Sequence, residues 1–473
     1  MLNNKTKAIL GMTGAFLGYY GLKWGCRLLI NKTFDTTVKT IMTDLYDENI
    51  WELISATTRV SPQIIVETNL RAQRGELINR PLGSPKKFPC LDSLMFNIAQ
   101  LNDLPTPIET PVDTSVVIGK NAKKPFKISL PIMVSGMAYG EALSADAKWA
   151  LAQGASMAKT AVCSGEGPYL AAEKKAADTY IYMYNRGDWN KDEQVLQDCS
   201  AIEIQFGQGA LGGAGHVIHA KKIDRKLRKD FKFPKGKDAV THSQQLNVQK
   251  ISDLPKFIES LKEVSGGVPI GVKLAAGKWL EKDIEIACHG GADYIVLDGA
   301  EAATKGGPPI LEDDFGVPTV FAISRGAEKL YQTGFNKSVS LIAAGKIRTP
   351  GEVLKAIALG ADACYMGSII LFAMSHDQVL KSLPFEPPTQ VVWYDGKSAG
   401  KFNKKKAANS LAKFFLSCKA ELEVAIKALG KTSLNEVNRS DLFSLDETMA
   451  RGLHIPMSYE SPEYMEITKK KPH

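Results

Sequence analysis

Residues 340–368, SLIAAGKIRTPGEVLKAIALGADACYMGS, read as strand, glycine turn, helix, strand and glycine turn. Ala343-Ala344-Gly345 ends an apolar run, and Thr349 followed by Pro350 opens a helix as an N-cap before an N1 proline does. Gly360 closes that helix before Ala363–Tyr365 begin the next strand. Two successive strand-to-helix turns, each setting free backbone N–H groups beside a glycine, form a phosphate cradle of the kind found in the last two units of a (β/α)8 barrel. Gly345, Lys346, Gly367 and Ser368 are the candidate phosphate contacts. The same pattern also fits two ordinary turns of any α/β protein, so the rest of the chain decides between them.

Eight strand candidates run along the sequence: Ile128–Val134, Lys159–Val162, Ala201–Phe206, Ala239–Thr241, Pro269–Leu274, Tyr294–Asp298, Val339–Ala343 and Ala363–Met366. Helical patterns such as Ile251–Val264 and Lys282–His289 lie between them. This alternation predicts an α/β protein, a parallel (β/α)8 TIM barrel over residues 125–375. Residues 35–124 read as helices and proline-rich loops packed outside it. Residues 376–473 form a helical tail in which Lys404–Leu429 is an amphipathic helix stopped by Gly430.

Composition excludes several classes. At 473 residues, 44% apolar and 23% charged, the chain can bury a large core. Net charge is a mild +8. Basic residues concentrate in His219–Lys237, with smaller runs at Lys404–Lys406 and Lys469–Lys471. No aromatic platform accompanies them, so nucleic acid is not expected. The longest run reads as a solvated loop, a lid over an anionic substrate, or a foot on an acidic membrane surface. Seven scattered cysteines without C-x2-C spacing indicate reduced thiols, and seven histidines without H-E-x-x-H argue against a metal.

The first 34 residues contain no acid, and Ala8–Leu22 is an apolar run that Lys23 and Arg27 could extend by snorkelling to Ile30. Residues 1–34 are accordingly expected to be a membrane anchor, a single helix through residues 8–30, with the globular part on the cytoplasmic side. An amphipathic presequence and a buried helix are the alternatives.

Seven segments together resemble the FMN-binding domain of glutamate synthase. They are LPIMVSGMAYGEALS (130–144), KTAVCSGEGP (159–168), QFGQGALGGAG (205–215), PIGVKLAAG (269–277), ADYIVLDGAEAATKGGPP (292–309), LIAAGKIRTPGEVLKAIALGADACYMG (341–367) and ALGKTSLNEVNRSDLF (428–443). The resemblance implies a barrel that holds FMN at the C-terminal ends of its strands. It places Ser135, Gly136 and Met137 against the isoalloxazine, and Lys273 near N1 and O2 of the flavin, where its charge stabilises the reduced anion. Alternatively Lys273 forms a salt bridge to a neighbouring strand end. Asp298 and Gly299 follow the next strand in the same manner, as flavin or substrate contacts or as a loop cap. Glu166, in the Gly165-Glu166-Gly167 turn, is either an acid or base near the flavin or a plain turn residue. Gln208 reaches the flavin edge or satisfies strand-end backbone groups.

Departures from the family pattern bear on the substrate. Where the family reads Q-G-A-K-P-G-E-G-G, Leu211 and Ala214 replace the lysine and the glutamate, and G-G-T-G-A becomes Ala302-Ala303-Thr304-Lys305-Gly306. Classical members bind 2-oxoglutarate with charged groups there, so the same substrate is in doubt. Gly367–Gly400 contains none of the three cysteines that would hold an iron–sulfur cluster. No cysteine stands beside Met1 to serve as a glutaminase nucleophile, so electrons or ammonia are expected from a separate protein. The leading expectation is an FMN-dependent oxidoreductase acting on a small anionic imino or carbonyl compound. A flavin-dependent isomerase-like or synthase barrel without net redox change, and a non-catalytic FMN-barrel scaffold, are the alternatives.

Overall fold

The computed structural model describes residues 4–45, 49 and 51–460; the expected basic run Lys469–Lys471 lies outside them. The chain divides into two units, one up to Ile78 and one over Asn79–His473. In the first unit, helices span Asn4–Thr43, Trp51–Arg59 and Pro62–Arg74. Ser61 caps the last of these through a bond from the Ile64 N–H, and Gly75 ends it in the left-handed conformation.

The helix Asn4–Thr43 contains the segment expected to anchor the protein, but among the described residues no helix is long and apolar enough to cross a membrane. Lys23, Arg27 and Lys32 recur at helical spacing, and glycine, threonine and tyrosine dilute the apolar run before them. What remains falls short of the ~20 predominantly apolar residues a bilayer core demands. The expected membrane attachment through residues 8–30, and the cytoplasmic placement argued from it, are therefore corrected.

The second unit is built on a closed barrel of eight parallel strands. In chain order they are β1 Ile132–Val134, β2 Ala161–Cys163, β3 Thr179–Tyr184, β4 Ala201–Gln205, β5 Ile270–Ala275, β6 Tyr294–Asp298, β7 Ser340–Ala344 and β8 Ala363–Met366. Each pairs with its successor, and closure is made by β8 on β1, with Tyr365 opposite Met133. Almost every strand residue is buried, as expected where helices cover the outside of a parallel sheet.

Two strand assignments differ from the sequence expectation. Ala239–Thr241 is outside the barrel, where it pairs antiparallel with His216–Ile218. Its place is taken by β3, TYIYMY, an aromatic run whose side chains Tyr180, Tyr182 and Tyr184 are buried. The expected strand Ile128–Val134 is also two elements. Phe126–Ile128 forms a hairpin with Val116–Ile118 before Pro131, and only Ile132–Val134 joins the barrel. The turn of that hairpin meets the start of β7, where the Gly119 N–H donates to Ser340 Oγ at 3.3 Å, and so covers the N-terminal end of the barrel.

Local signals act as read around the seventh and eighth strands. Thr349 and Glu352 form a reciprocal capping box at the start of the helix Pro350–Ala358, and Gly360 takes a φ of 111° after it. The helix Lys404–Ala428 packs on Ala145–Met157, where an added Cβ at Gly154 would lie 2.9 Å from Leu411 Cβ. That close approach explains a glycine inside a helix.

Lys148, in the helix Ala145–Met157, is fully buried and ion-paired with buried Glu173 at 2.8 Å. Burial drives the Glu173 carboxyl up to about 7, against the opposing pull of Lys148. Replacing Lys148 by methionine strands a buried acid and should cost about 3–5 kcal/mol in urea unfolding. The double variant Lys148→Met/Glu173→Leu should recover much of that loss. Equal destabilisation of the single and double variants would show that the charge pair is not its source.

Candidate active site

The C-terminal ends of the eight strands gather the residues singled out by the sequence. After β1, Ser135, Gly136 and Met137 form a half-buried turn tied to β8 by a bond from the Ser135 N–H to Met366 O at 2.9 Å. Lys148 Nζ crosses beneath it, donating to Met137 O at 2.7 Å and to Ser164 O at 2.9 Å. One buried ammonium thus fixes the turn after β1 against the turn after β2. Gly165, with φ 73°, lies so close that an added Cβ would sit 2.6 Å from the Met137 carbonyl carbon. The glycines flanking Glu166 are required by this approach of two backbones.

Glu166 is buried, and Gln205 Nε2 at the end of β4 donates to its Oε2 at 2.9 Å. Gln205 Nε2 also lies 3.4 Å from Gln208 Oε1, so Glu166, Gln205 and Gln208 form one polar cluster. The backbone of Gln208 is held by a bond from its N–H to Gly212 O at 3.0 Å. The Gln208 side chain thus meets another side chain, Gln205, at the strand end.

Lys273 lies on β5 with its side chain 3% exposed, 3.4 Å from Asp298 Oδ2 on β6. Burial works against its ammonium charge, but Asp298 and then Glu203 more than reverse the effect and hold its pKa above the ordinary lysine value. Glu203, on β4 and fully buried, accepts from Tyr365 Oη at 2.8 Å. Burial raises its own pKa, opposed by Lys273 and Tyr365. The salt bridge expected as one alternative for Lys273 is present, within a chain of charged and hydroxyl groups across the barrel interior.

The glycine turns after β6 and β7 meet each other. An added Cβ on Gly345, whose φ is 116°, would lie 3.1 Å from Gly299 N and 2.4 Å from Thr319 Oγ1. Thr319 Oγ1 is also 3.0 Å from Gly345 O and 2.7 Å from Glu301 Oε2. Lys346 takes a φ of 54° with its side chain exposed. Gly367 stands at the N-cap of the helix Ser368–Ser375, where no side chain caps the first turn and the Ile370 N–H bonds back to Gly367 O at 3.0 Å. An added Cβ on Gly367 would come within 3.8 Å of Ser135 Cβ, which places the turns after β8 and β1 side by side. Backbone donors and small residues at these turns fit one terminal phosphate and a flat ring system.

Sequence reading passed over several residues at the same mouth. Arg186, after β3, is fully buried and donates from Nη1 to Gly213 O at 2.7 Å and from Nη2 to Ala214 O at 3.0 Å. It thereby holds the loop that lacks the family's lysine and glutamate. His216, at the start of the hairpin, lies 2.9 Å from Glu141 Oε1 and 4.0 Å from Glu166 Oε1. Burial disfavours its imidazolium, but Glu141 and then Glu166 outweigh that, and its pKa is raised to about 9. Lys305 donates to Glu141 O at 2.9 Å and pairs with Asp395 at 2.6 Å. The available signals were polar residues inside apolar runs, such as Lys148, Glu203 and Gln205, and a histidine directly after a glycine loop.

The basic segment His219–Lys237 is a packed cap that includes the helix Arg225–Phe231. Leu227 and Phe231 bury against Tyr139 and Trp189, while Asp230 Oδ2 accepts from Tyr139 Oη at 2.8 Å and Asp224 Oδ2 from Tyr394 Oη at 2.6 Å. It lies over the turns after β1 and β3.

A closed barrel of eight parallel strands with helices outside and glycine turns at its C-terminal strand ends belongs to the class of (β/α)8 barrels. Residues 88–432 match the family model described as the conserved region in glutamate synthase, and the chain belongs to that family. It is 29% identical over 413 residues to a glutamate synthase large subunit-like protein of Rhizobium meliloti (strain 1021), covering 83% of this chain and 93% of that protein. It is 29% identical over 336 residues to an archaeal-type glutamate synthase (NADPH) of Thermotoga sp. (strain RQ2) and spans 66% of that protein's length. Among solved structures, a flavocytochrome b2 mutant with benzoylformate aligns over 81% of this chain and 82% of its own, with 17% identity and a TM-score of 0.48.

The mouth's packing can be tested at Gly209, where an added Cβ would fall 1.9 Å from Gly299 O, whereas Gly277 faces open space. Gly209→Ala should cost about 1–3 kcal/mol or more in thermal unfolding, and Gly277→Ala very little. Equal melting temperatures for the two variants would contradict the close approach of the turns after β4 and β6.

Proposed function

We propose that the protein is an FMN-dependent oxidoreductase of the glutamate-synthase type, acting on a small anionic imino or carbonyl compound. The observation that carries this reading is the buried Lys273–Asp298 pair at the strand ends. A scaffold would gain little from keeping ionised groups inside a barrel, because removing two charges from water costs several kcal/mol per ion. A redox site gains a fixed positive charge that needs no reorganisation when negative charge develops beside it.

FMN is the cofactor, and it supplies the two-electron chemistry that no side chain provides. The turns at Gly345-Lys346 and Gly367-Ser368 bind its phosphate through backbone N–H groups. Ser135, Gly136 and Met137 support its ring, and Gln208 and the Asp298-Gly299 turn border it. Lys273 holds a positive charge near the ring, with its Nζ kept in place by Asp298. Glu166, oriented by Gln205, gives or takes a proton at its carboxylate. The cap over Tyr139 and Trp189 limits the entry of water, which strengthens each of these electrostatic interactions. Leu211 and Ala214 offer no charge to the substrate, so a compound recognised otherwise than 2-oxoglutarate is the better candidate. Because Gly367–Gly400 holds no cysteine for an iron–sulfur relay, the electrons come from a separate protein.

The full-length protein should purify yellow with one FMN and no FAD, as read by absorbance and by chromatography of the released flavin. Colourless protein that cannot be reconstituted with FMN would refute the proposal. Lys273→Met should cost stability, about 3–5 kcal/mol, by leaving buried Asp298 without its partner, and the folded fraction that binds FMN should show a lower midpoint potential in a dye-coupled titration. An unchanged potential would assign Lys273 a structural role only. Anaerobically prepared protein should contain no stoichiometric iron or sulfide.

A further inference from the structure

We infer that His216 supplies protons to the site through Glu166 and that Glu141 holds its ring in position, an assignment that rests on the oxidoreductase reading above. Three loops converge here: Glu141 follows β1, Glu166 follows β2 and His216 opens the hairpin beyond β4. Their ligand-capable atoms lie within 4.8 Å of one another. His216 Nε2 is 2.9 Å from Glu141 Oε1 and 4.0 Å from Glu166 Oε1, so a movement of about 1 Å brings the second carboxylate into hydrogen-bond range. Both ring nitrogens of His216 are buried and neither makes a well-formed hydrogen bond, Nε2 meeting Glu141 as an ion-pair contact, so no hydrogen bond opposes the movement.

The step balances in protons. When Glu166 gives its proton to a bound compound, the Nε2–H bond of His216 breaks and an O–H bond forms at Glu166 Oε1. Both ring nitrogens are buried at rest, so the neutral imidazole recovers a proton from water only as the ring, whose side chain is 24% exposed, turns toward solvent. The charged groups around the ring are Glu141, Glu166 and Arg186, the first two favouring the imidazolium and the third opposing it. At neutral pH the imidazolium is the form present, which suits a proton reservoir and disfavours a cation in its place.

Glu141 has a second tie. Its carbonyl oxygen accepts from Lys305 Nζ on the loop after β6, and Lys305 also pairs with Asp395. The backbone that carries the Glu141 carboxylate is thus held by Lys305, as a positioning residue requires.

The test follows the titration of His216 by nuclear magnetic resonance in full-length protein with labelled histidines, its signal assigned by loss in His216→Gln. The wild-type ring should keep its proton up to near pH 9, and both Glu141→Gln and Glu166→Gln should lower that midpoint by about one unit or more. A wild-type midpoint in the ordinary histidine range, or one unmoved by Glu166→Gln, overturns the inference. So does stoichiometric binding of added Zn2+ that abolishes the titration, since the three side chains would then be a cation site.

A second readout separates proton supply from simple ion pairing. Reoxidation of the photoreduced, FMN-loaded protein by dioxygen consumes one proton for each hydrogen peroxide formed. Its rate should fall about tenfold through the His216 midpoint in the wild type and show no such break in His216→Gln. If His216→Gln does not fold, Glu141→Gln should shift the break downward instead. Identical profiles would leave a structural ion pair and overturn the inference. Failure to bind FMN would overturn the functional reading, while the titration, which needs no flavin, would still decide whether His216 and Glu166 are coupled.

Discussion

The ammonium of Lys273 is the constraint around which the barrel's interior is arranged. A lysine with 3% of its side chain exposed is tolerable only where opposite charge surrounds it, and Asp298 and Glu203 supply that charge from the adjoining strands. Glu203 in turn requires Tyr365 as a donor, which reaches it from the far side of the barrel on β8. The register of β5 against both neighbours follows, since Lys273 lies opposite Gln205 on β4 and Val296 on β6. A slip of one residue would turn the lysine outward into the helical layer. Specificity of register and provision of a charged mouth are therefore the same requirement.

A second buried ammonium performs the corresponding task for the loops. Lys148 reaches the carbonyl oxygens of Met137 and Ser164 while Glu173 balances its charge, and in this way joins the turns on which Ser135, Gly136, Met137 and Glu166 sit. The glycines of those turns allow the backbones to approach, and the lysine binds them once they have done so. Neither device works alone, because carbonyl oxygens brought together without a donor repel each other and lose their water.

The parts legible in the sequence are those that local chemistry determines. Thr349-Pro350, Gly360 and the glycine turns fix the seventh and eighth units without reference to the rest of the molecule. β3 was missed because the hairpin strand Ala239–Thr241 already completed a set of eight, and nothing local shows that a three-residue β-branched run pairs outside the barrel. The candidate site was legible where a residue stands in the C-terminal half of its own strand, as Lys273 and Asp298 do. It was obscure where the partner comes from a remote segment, as with Arg186 holding residues 213 and 214, or Lys148 beneath two loops. The N-terminal helix shows the opposite error: an acid-free apolar run suggested a membrane span, but interspersed lysine, arginine and glycine leave it short of the required hydropathy.

The departures from the family pattern acquire a common sense in the folded chain. Leu211 and Ala214 remove a cation and an anion from the loop after β4, yet the mouth does not become apolar. His216 brings a positive charge on the following hairpin, Glu141 a negative charge opposite it, and Lys305 joins Glu141 to Asp395. The charged groups that remain here face other protein groups. Charges paired within the protein are poor at holding a ligand's carboxylates, because each would have to give up a partner, but they are well suited to setting protonation states.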